Sequence, residues 1–232
     1  MKLISNKYLT FKKAIRKSII KIYYLLVGSS SQYGEDLILD KLLKNKKDGF
    51  FVDIGAHHPS HFSNTYKFHK RGWVGINIEP DPNLYERFNK ARPNDINLNI
   101  GVGPINGSMP FYRMSANTLS TFSESSVRWA VQDGHKLLDV INVPVMRLES
   151  IFEKYYHYGP IDFMSVDVEG FEMDVFNSND WKKFRPVFII AEIYHNENKI
   201  MSFLEGVDYK SIFNNGTNCI FQDIKYSKEL DR

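Results

Sequence analysis

Four apolar runs in this 232-residue chain each deliver a carboxylate near their end. FFVDI (50–54) carries Asp53 just ahead of Gly55 and Ala56. WVGINIE (73–79) ends in Glu79. IDFMSVDVE (161–169) ends in Asp167 and Glu169, and PVFIIAE (186–192) ends in Glu192, with His195 three residues on. Continuous apolar runs of this kind predict buried strands of a parallel sheet. Such sheets bind ligands beyond the carboxyl ends of their strands. The acids therefore fall together on the edge where chemistry is expected.

Glu79 has a specific part to offer. An acid ending the second strand can accept both hydroxyls of a ribose, as in dinucleotide cofactors and in S-adenosyl-L-methionine. The turn after the first strand separates the two. A pyrophosphate needs glycines for close approach to a helix N-terminus. FVDIGAHHPSHFSNT (51–65) supplies only Gly55 and Ala56, with Pro59 near the third glycine's place. Asp53 would repel a pyrophosphate, yet it suits a ligand carrying an ammonium group and a sulfonium. The turn favours the sulfonium cofactor over a nicotinamide dinucleotide.

A sulfonium cofactor donates a methyl group, and its transfer to a weak nucleophile needs a base or a metal as well as alignment. Asp167 is the expected base or metal ligand, and Asp167, Glu192 and His195 together suit Mg²⁺ or Mn²⁺. A structural, helix-capping Asp167 is the plain alternative. Glu169 is expected in the first turn of a helix, where any acid is favoured. His57, His58 and His61 do not make a zinc helix, because Pro59 interrupts them and no cysteine is near. His58 is the candidate general base among them; turn-capping or solvated histidines are the other reading. Residues 113–135 (RMSANTLSTFSESSVRWAVQDGH) mix hydroxyls, amides, arginines and Trp129, which suits a sugar. Arg113, Asn117, Ser120 and Arg128 are its candidate substrate ligands, the arginines for a nucleotide-diphosphate carrier. An ordinary surface lid is the alternative.

SQYGED (31–36), FVDIGAHHPSHFSNT (51–65), the stretch GWVGINIEPDPNLYERFNKARPNDINLNIGVG (72–103), NTLSTF (117–122), DFMSVDVEGFEMDVF (162–176) and RPVFIIAEIYHN (185–196) resemble the FkbM family of S-adenosylmethionine-dependent methyltransferases. The likeness spans about residues 29–224. It implies a class I Rossmann-like methyltransferase fold and O-methylation of a sugar, sugar nucleotide or polyketide-type hydroxyl, often for surface polysaccharide such as capsule or lipopolysaccharide. Carried over, it places Gly55 and Ala56 under the methionine part of the cofactor, with Asp53 close by. Glu79 holds the ribose, and Asn99 to Gly101 border the adenine. Gln32 and Glu35 close over the cofactor from the preceding helix. Ser63, Asn64 and Thr65 cap the next helix and reach the methionine carboxylate. A nicotinamide-dependent oxidoreductase and a non-catalytic cofactor-binding module are the rival functions.

The elements that must position these groups alternate. Helices are expected over Glu35–Asn45, Asn64–Lys70, Asp81–Ala91, Ser125–Gln132 and Leu148–Tyr156. Strands are expected over Phe50–Ile54, Trp73–Ile78, Ile96–Val102, Met109–Arg113, Ile161–Val166 and Pro186–Ala191. Val140–Val145 is apolar but broken by Pro144. Tyr209–Phe213 and Cys219–Ile224 flank Asn215-Gly216, a hairpin signal. The pattern predicts an α/β domain, a mostly parallel sheet covered on both faces, with an antiparallel hairpin at or near one edge. Tyr155, Tyr156 and Tyr158 fit helix packing and loop cover.

The chain is 43% hydrophobic, enough for a sizeable core. A net charge of +3 is too small to argue for nucleic acid over the whole surface, and no nucleic-acid partner is expected. Its single cysteine, Cys219, excludes an internal disulfide framework and fits a reducing cytoplasm. No apolar run approaches the ~20 residues of a membrane span. Residues 1–28 stand apart from the domain at 29–232. They carry seven basic residues and no acid, opposite a stripe of Phe11, Ile15, Ile19, Ile22 and Leu26. This basic amphipathic helix suits either packing on the domain or a second subunit, or peripheral contact with the inner face of a membrane.

Overall fold

The computed structural model describes residues 28–226. The amphipathic segment expected before Gly28 lies outside the described residues. The domain opens with α1 (Glu35–Leu42), β1 (Phe50–Ile54), α2 (Tyr66–His69), β2 (Val74–Ile78), α3 (Pro82–Ala91) and β3 (Ile96–Leu98). Then come β4 (Gly101–Val102), β5 (Gly107–Met114), a 3-10 turn at Asn117–Leu119, α4 (Glu124–Gln132) and β6 (Leu137–Met146). The rest is α5 (Leu148–Tyr155), β7 (Phe163–Val166), α6 (Glu172–Asn177), β8 (Phe188–Glu192), α7 (Glu197–Gly206), β9 (Tyr209–Asn214) and β10 (Asn218–Asp223).

Seven strands form one sheet in the order β3-β2-β1-β7-β8-β10-β9. The first five are parallel, and β10 runs antiparallel to both β8 and β9. This is the Rossmann-like methyltransferase arrangement implied by the resemblance, with its switch point between β1 and β7. The period-2 alternation of each strand decides which layer it feeds. Val52, Ile54, Met164, Val166, Ile189 and Ala191 face one layer, where Leu148, Ile151, Phe152, Val175, Phe176, Ile200 and Leu204 bring in α5, α6 and α7. Phe51, Phe163, Phe188 and Ile190 face the other, against Leu39 of α1 and Phe68 of α2.

Helix starts follow local chemistry. Asp81 caps α3 by accepting the Asn83 N–H at 2.8 Å, and Pro82 occupies the first helical position. Ser123 caps α4 by accepting the Ser126 N–H. Among the described residues no helix is long and apolar enough to cross a membrane.

The expected strand Ile96–Val102 is two strands in two sheets. β3 ends the large sheet, while β4 joins a small sheet ordered β4-β6-β5. The Asn99 side chain causes the break: its amide donates to the carbonyls of Glu79 and Pro80 at 2.9 and 3.0 Å. The run broken by Pro144 is nonetheless a continuous ten-residue strand, β6. β4 begins beside Val145, so β6 has one neighbouring strand at Pro144 and tolerates a residue without an N–H there.

Candidate active site

A cavity of about 430 Å³ opens at the carboxyl ends of β1, β2, β7 and β8. The small sheet roofs it. Tyr112 and Thr121 exchange backbone hydrogen bonds at 2.9 and 3.1 Å, folding the turn between them over the opening. The Asn117 side chain then meets His57 Nε2 at 3.2 Å across the mouth. Leu84, Ile100, Val102, Phe111 and Phe122 make the apolar part of the wall.

The floor is the turn after β1. Gly55 has φ +77°, and a β-carbon there would meet the Asp167 carbonyl oxygen at 1.8 Å, so only glycine fits. The Gly55 and Ala56 N–H groups both donate to the Ile78 carbonyl. Beyond them the loop is held from behind by Arg92, which is fully buried. Its Nε donates to the Pro59 carbonyl at 2.8 Å, Nη2 to that carbonyl and to Ser63 Oγ, and Nη1 to Thr65 Oγ1 at 2.9 Å. Thr65 in turn donates to Asp53 Oδ2 at 2.7 Å. Burial pushes Asp53 up to about 6, against the pull of Thr65 and the Arg92 charge. Arg92 had no signal in the sequence, where it is an ordinary basic residue at a helix C-terminus.

Glu79 faces the cavity, nearly buried. Its two oxygens accept the N–H groups of His57 and Asp81, both at 2.8 Å. Loss of water still outweighs these bonds and raises it to about 7.

The ends of β7 and β8 hold the remaining acids. Asp167 is open to the cavity but crowded by its walls and by Glu172, Asp53 and Glu35, and rises to about 7. Glu169 rises to about 9 and Glu192 to about 10, each through lost hydration and then the neighbouring carboxylates. Glu172 accepts the N–H groups of Val168 and Gly170. The sequence places Glu169 in the first turn of a helix, but it lies ahead of the helix. It has φ +53° and precedes Gly170 at φ +90°, and α6 begins only at Glu172. Donor atoms of Glu169, Glu192 and His195 lie within 4.8 Å of one another. Asp167 of the expected trio Asp167, Glu192 and His195 is not part of this close group, although its charge acts on Glu192. Trp129 and Tyr194 meet the His195 ring edge-on, at 5.4 and 5.2 Å between centroids.

Of the candidate site residues, Gln32, Asp53, Gly55, Ala56, Ser63, Asn64, Glu79, Gly101, Asn117, Ser120, Asp167, Glu192 and His195 all line this one cavity. The other expected residues do not. Glu35 is buried behind it, accepting from the Tyr33 N–H and the Asn215 and Asn218 amides, so it ties α1 to the hairpin. Thr65 supports Asp53, and Asn99 pins the chain below the wall. His58 is a turn cap: its Nδ1 accepts the N–H groups of Ser60 and His61, both at 3.1 Å. Arg113 is held by Asp81 and Asp139 at 2.8 and 3.0 Å. Arg128 is solvent-exposed beside Glu124.

Residues 53–211 match the methyltransferase FkbM domain family. Similar solved structures include a methyltransferase FkbM from Methylobacillus flagellatus, 14% identical with a TM-score of 0.46 over 76% of this chain and 44% of that one. This chain therefore spans less than half the length of that structure. Another is precorrin 8w decarboxylase from Methanobacterium thermoautotrophicum, 13% identical with a TM-score of 0.39, covering 82% of this chain and 89% of that one. No curated protein matches. With its family match running from Asp53 through both walls of the cavity to β9, the chain belongs to the FkbM methyltransferase domain family.

Proposed function

We propose that the chain is an S-adenosyl-L-methionine-dependent O-methyltransferase acting on a hydroxyl of a sugar or sugar nucleotide, in the synthesis of a surface polysaccharide. One observation carries the cofactor reading. Asp53, Glu79, Asp81, Asp167, Glu169 and Glu192 line the cavity, and among the described residues no lysine or arginine does. Such a wall fits a ligand bearing sulfonium and ammonium charges. A nicotinamide dinucleotide would set its pyrophosphate among carboxylates with no cation to meet it.

When bound, the cofactor supplies a methyl group that leaves with its bonding electron pair kept by sulfur. Glu79 accepts the ribose hydroxyls. Asp53 and the turn at Gly55 face the methionine end, and the Asn64 side chain, which donates to Ser165 at 3.0 Å, borders it. The acceptor hydroxyl lies toward β7, where Asp167 takes its proton. Asp167 at about 7 is suited to that task near neutral pH. His195 borders the acceptor's place, its pKa lowered by burial. The edges of Trp129 and Tyr194 offer apolar contact for a sugar ring beside it.

Calorimetric titration tests the cofactor, and an acceptor screen reading S-adenosylhomocysteine release tests the reaction. Binding of S-adenosylhomocysteine but not NAD(H), with release on a saccharide acceptor, is the expected result. The reverse binding preference would replace this reading with an oxidoreductase. Binding without release on any acceptor would leave a non-catalytic module.

A further inference from the structure

One base is enough to take a proton from an acceptor hydroxyl, yet four carboxylates gather at the ends of β7 and β8. Glu172 is committed to backbone N–H groups. Asp167 stands open in the cavity. Glu169 and Glu192 remain, and no lysine or arginine among the described residues pairs with either. Their basic neighbour is His195, with Nε2 at 3.9 Å from Glu169. The second observation is independent of the clustering. Glu192 Oε2 is sealed from solvent and has no hydrogen-bond partner among the described residues. Buried oxygens are almost always satisfied, and an orphan of this kind marks the place of a missing partner.

The geometry supplies that partner's outline. Donor atoms of Glu169, Glu192 and His195 lie within 4.8 Å of one another. Two ligands of one small divalent ion, each about 2.1 Å from it, stand at most about 4.2 Å apart. Three ligands cannot all stand opposite one another, so their separations fall at about 3.0–3.6 Å, and the side chains need to draw in by at most about 1–2 Å. Two carboxylates with one imidazole are softer than the all-oxygen sets preferred by Mg²⁺ and harder than cysteine sites. This donor set suits Mn²⁺ and ions of similar softness.

We propose that Glu169, Glu192 and His195 bind one divalent transition-metal ion of the Mn²⁺ class at the acceptor end of the cavity. Its role rests on the methyltransferase reading: the ion orients the acceptor oxygen while Asp167 receives the proton. Binding itself does not depend on that reading.

The test uses the full chain stripped with chelator and titrated with Mn²⁺, following the electron paramagnetic resonance signal of free Mn²⁺. One ion per chain is expected. Glu192→Gln and Glu169→Gln are each expected to weaken binding by at least about tenfold, the loss that even an outer-sphere partner causes. Arg128→Ala is expected to leave it unchanged. A circular-dichroism melt of each variant checks that it is folded, and S-adenosylhomocysteine titration reads the cofactor half separately. An undiminished free Mn²⁺ signal with protein in excess overturns the proposal, as does native affinity in both glutamine variants. Mn²⁺ binding without S-adenosylhomocysteine binding would uphold the metal site and defeat the methyltransferase reading; the opposite pattern would do the reverse.

Discussion

A β-carbon on Gly55 would lie 1.8 Å from the carbonyl oxygen of Asp167. The cofactor-side turn and the proposed base are thus packed backbone to backbone. Neither can withdraw easily, because the Asp167 N–H is bonded to the Ile54 carbonyl at 3.0 Å. Gly55→Ala is expected to cost more than about 2 kcal/mol, since the left-handed backbone alone costs about 1–2 kcal/mol. Urea unfolding measures it, and a wild-type midpoint would show that the two turns can part.

Arg92 is the second structural test. Replacing it with Met frees the Pro59 carbonyl, Ser63 and Thr65 and leaves Asp53 and Asp95 without their cation. Losing one partner of a buried pair costs about 3–5 kcal/mol. Arg92→Lys keeps the charge but not the planar fork, so it is expected to retain most of the stability yet weaken S-adenosylhomocysteine binding. Equal cofactor affinity in the lysine variant and the native chain would remove Arg92 from the support of the 57–65 loop.

Glu79→Gln is expected to weaken S-adenosylhomocysteine. Hydrogen bonds to charged groups contribute about 1.5–3 kcal/mol, so the loss is roughly 10- to 150-fold in Kd. Calorimetry at a pH above 7 reads it with the native carboxylate ionised. An unchanged Kd would take the ribose away from Glu79.

The same acids set a pH dependence. Asp53 is raised from 3.8 to about 6 and Glu79 from 4.5 to about 7. Across those windows the unfolded chain has released its protons while the native chain keeps them. Stability of the ligand-free protein therefore falls as pH rises through that range, and the full cost stands above about 7. For Glu79 it is on the order of 3 kcal/mol. Urea midpoints measured from pH 4.5 to 7.5 should fall less steeply for Glu79→Gln than for the native chain; parallel curves would deny the shift.

Asp167→Asn is expected to lower kcat by about 100-fold or more while S-adenosylhomocysteine affinity changes little. Single-turnover kinetics separates chemistry from binding. Full activity in the variant would dismiss Asp167 as the base.

Much of this was legible because period-2 burial and apolar runs are strong signals. β1, β2, β7 and β8 stand where expected, and so do the acids at their ends. The Asn215-Gly216 hairpin is present, with β9 at the sheet edge. What the sequence hid was long-range. The side chain of Asn99 has an ordinary local reading, and only its bonds to the carbonyls of Glu79 and Pro80 divert the chain into a second sheet. Arg113 looks free until Asp139, 26 residues on, takes one end of it. His58 looks like chemistry because a histidine's type shows in the sequence and its hydrogen bonds do not. Tyr158 does act as loop cover, stacking on Phe50 with centroids 4.7 Å apart.

The crossover at Asn99 has one more consequence. The chain leaves the large sheet after β3 and rejoins the helical layer that covers it at α5, and the two ends of that excursion lie side by side: Gly101 pairs with Val145 and Val102 with Met146. Residues 101–146 are closed at the neck like a cassette. A segment of different length or composition can be spliced in there without moving β3 or α5, since insertions are tolerated where the two ends are close. The roof over the cavity is therefore the portable part of the domain, and the turn after β1 the part that stays.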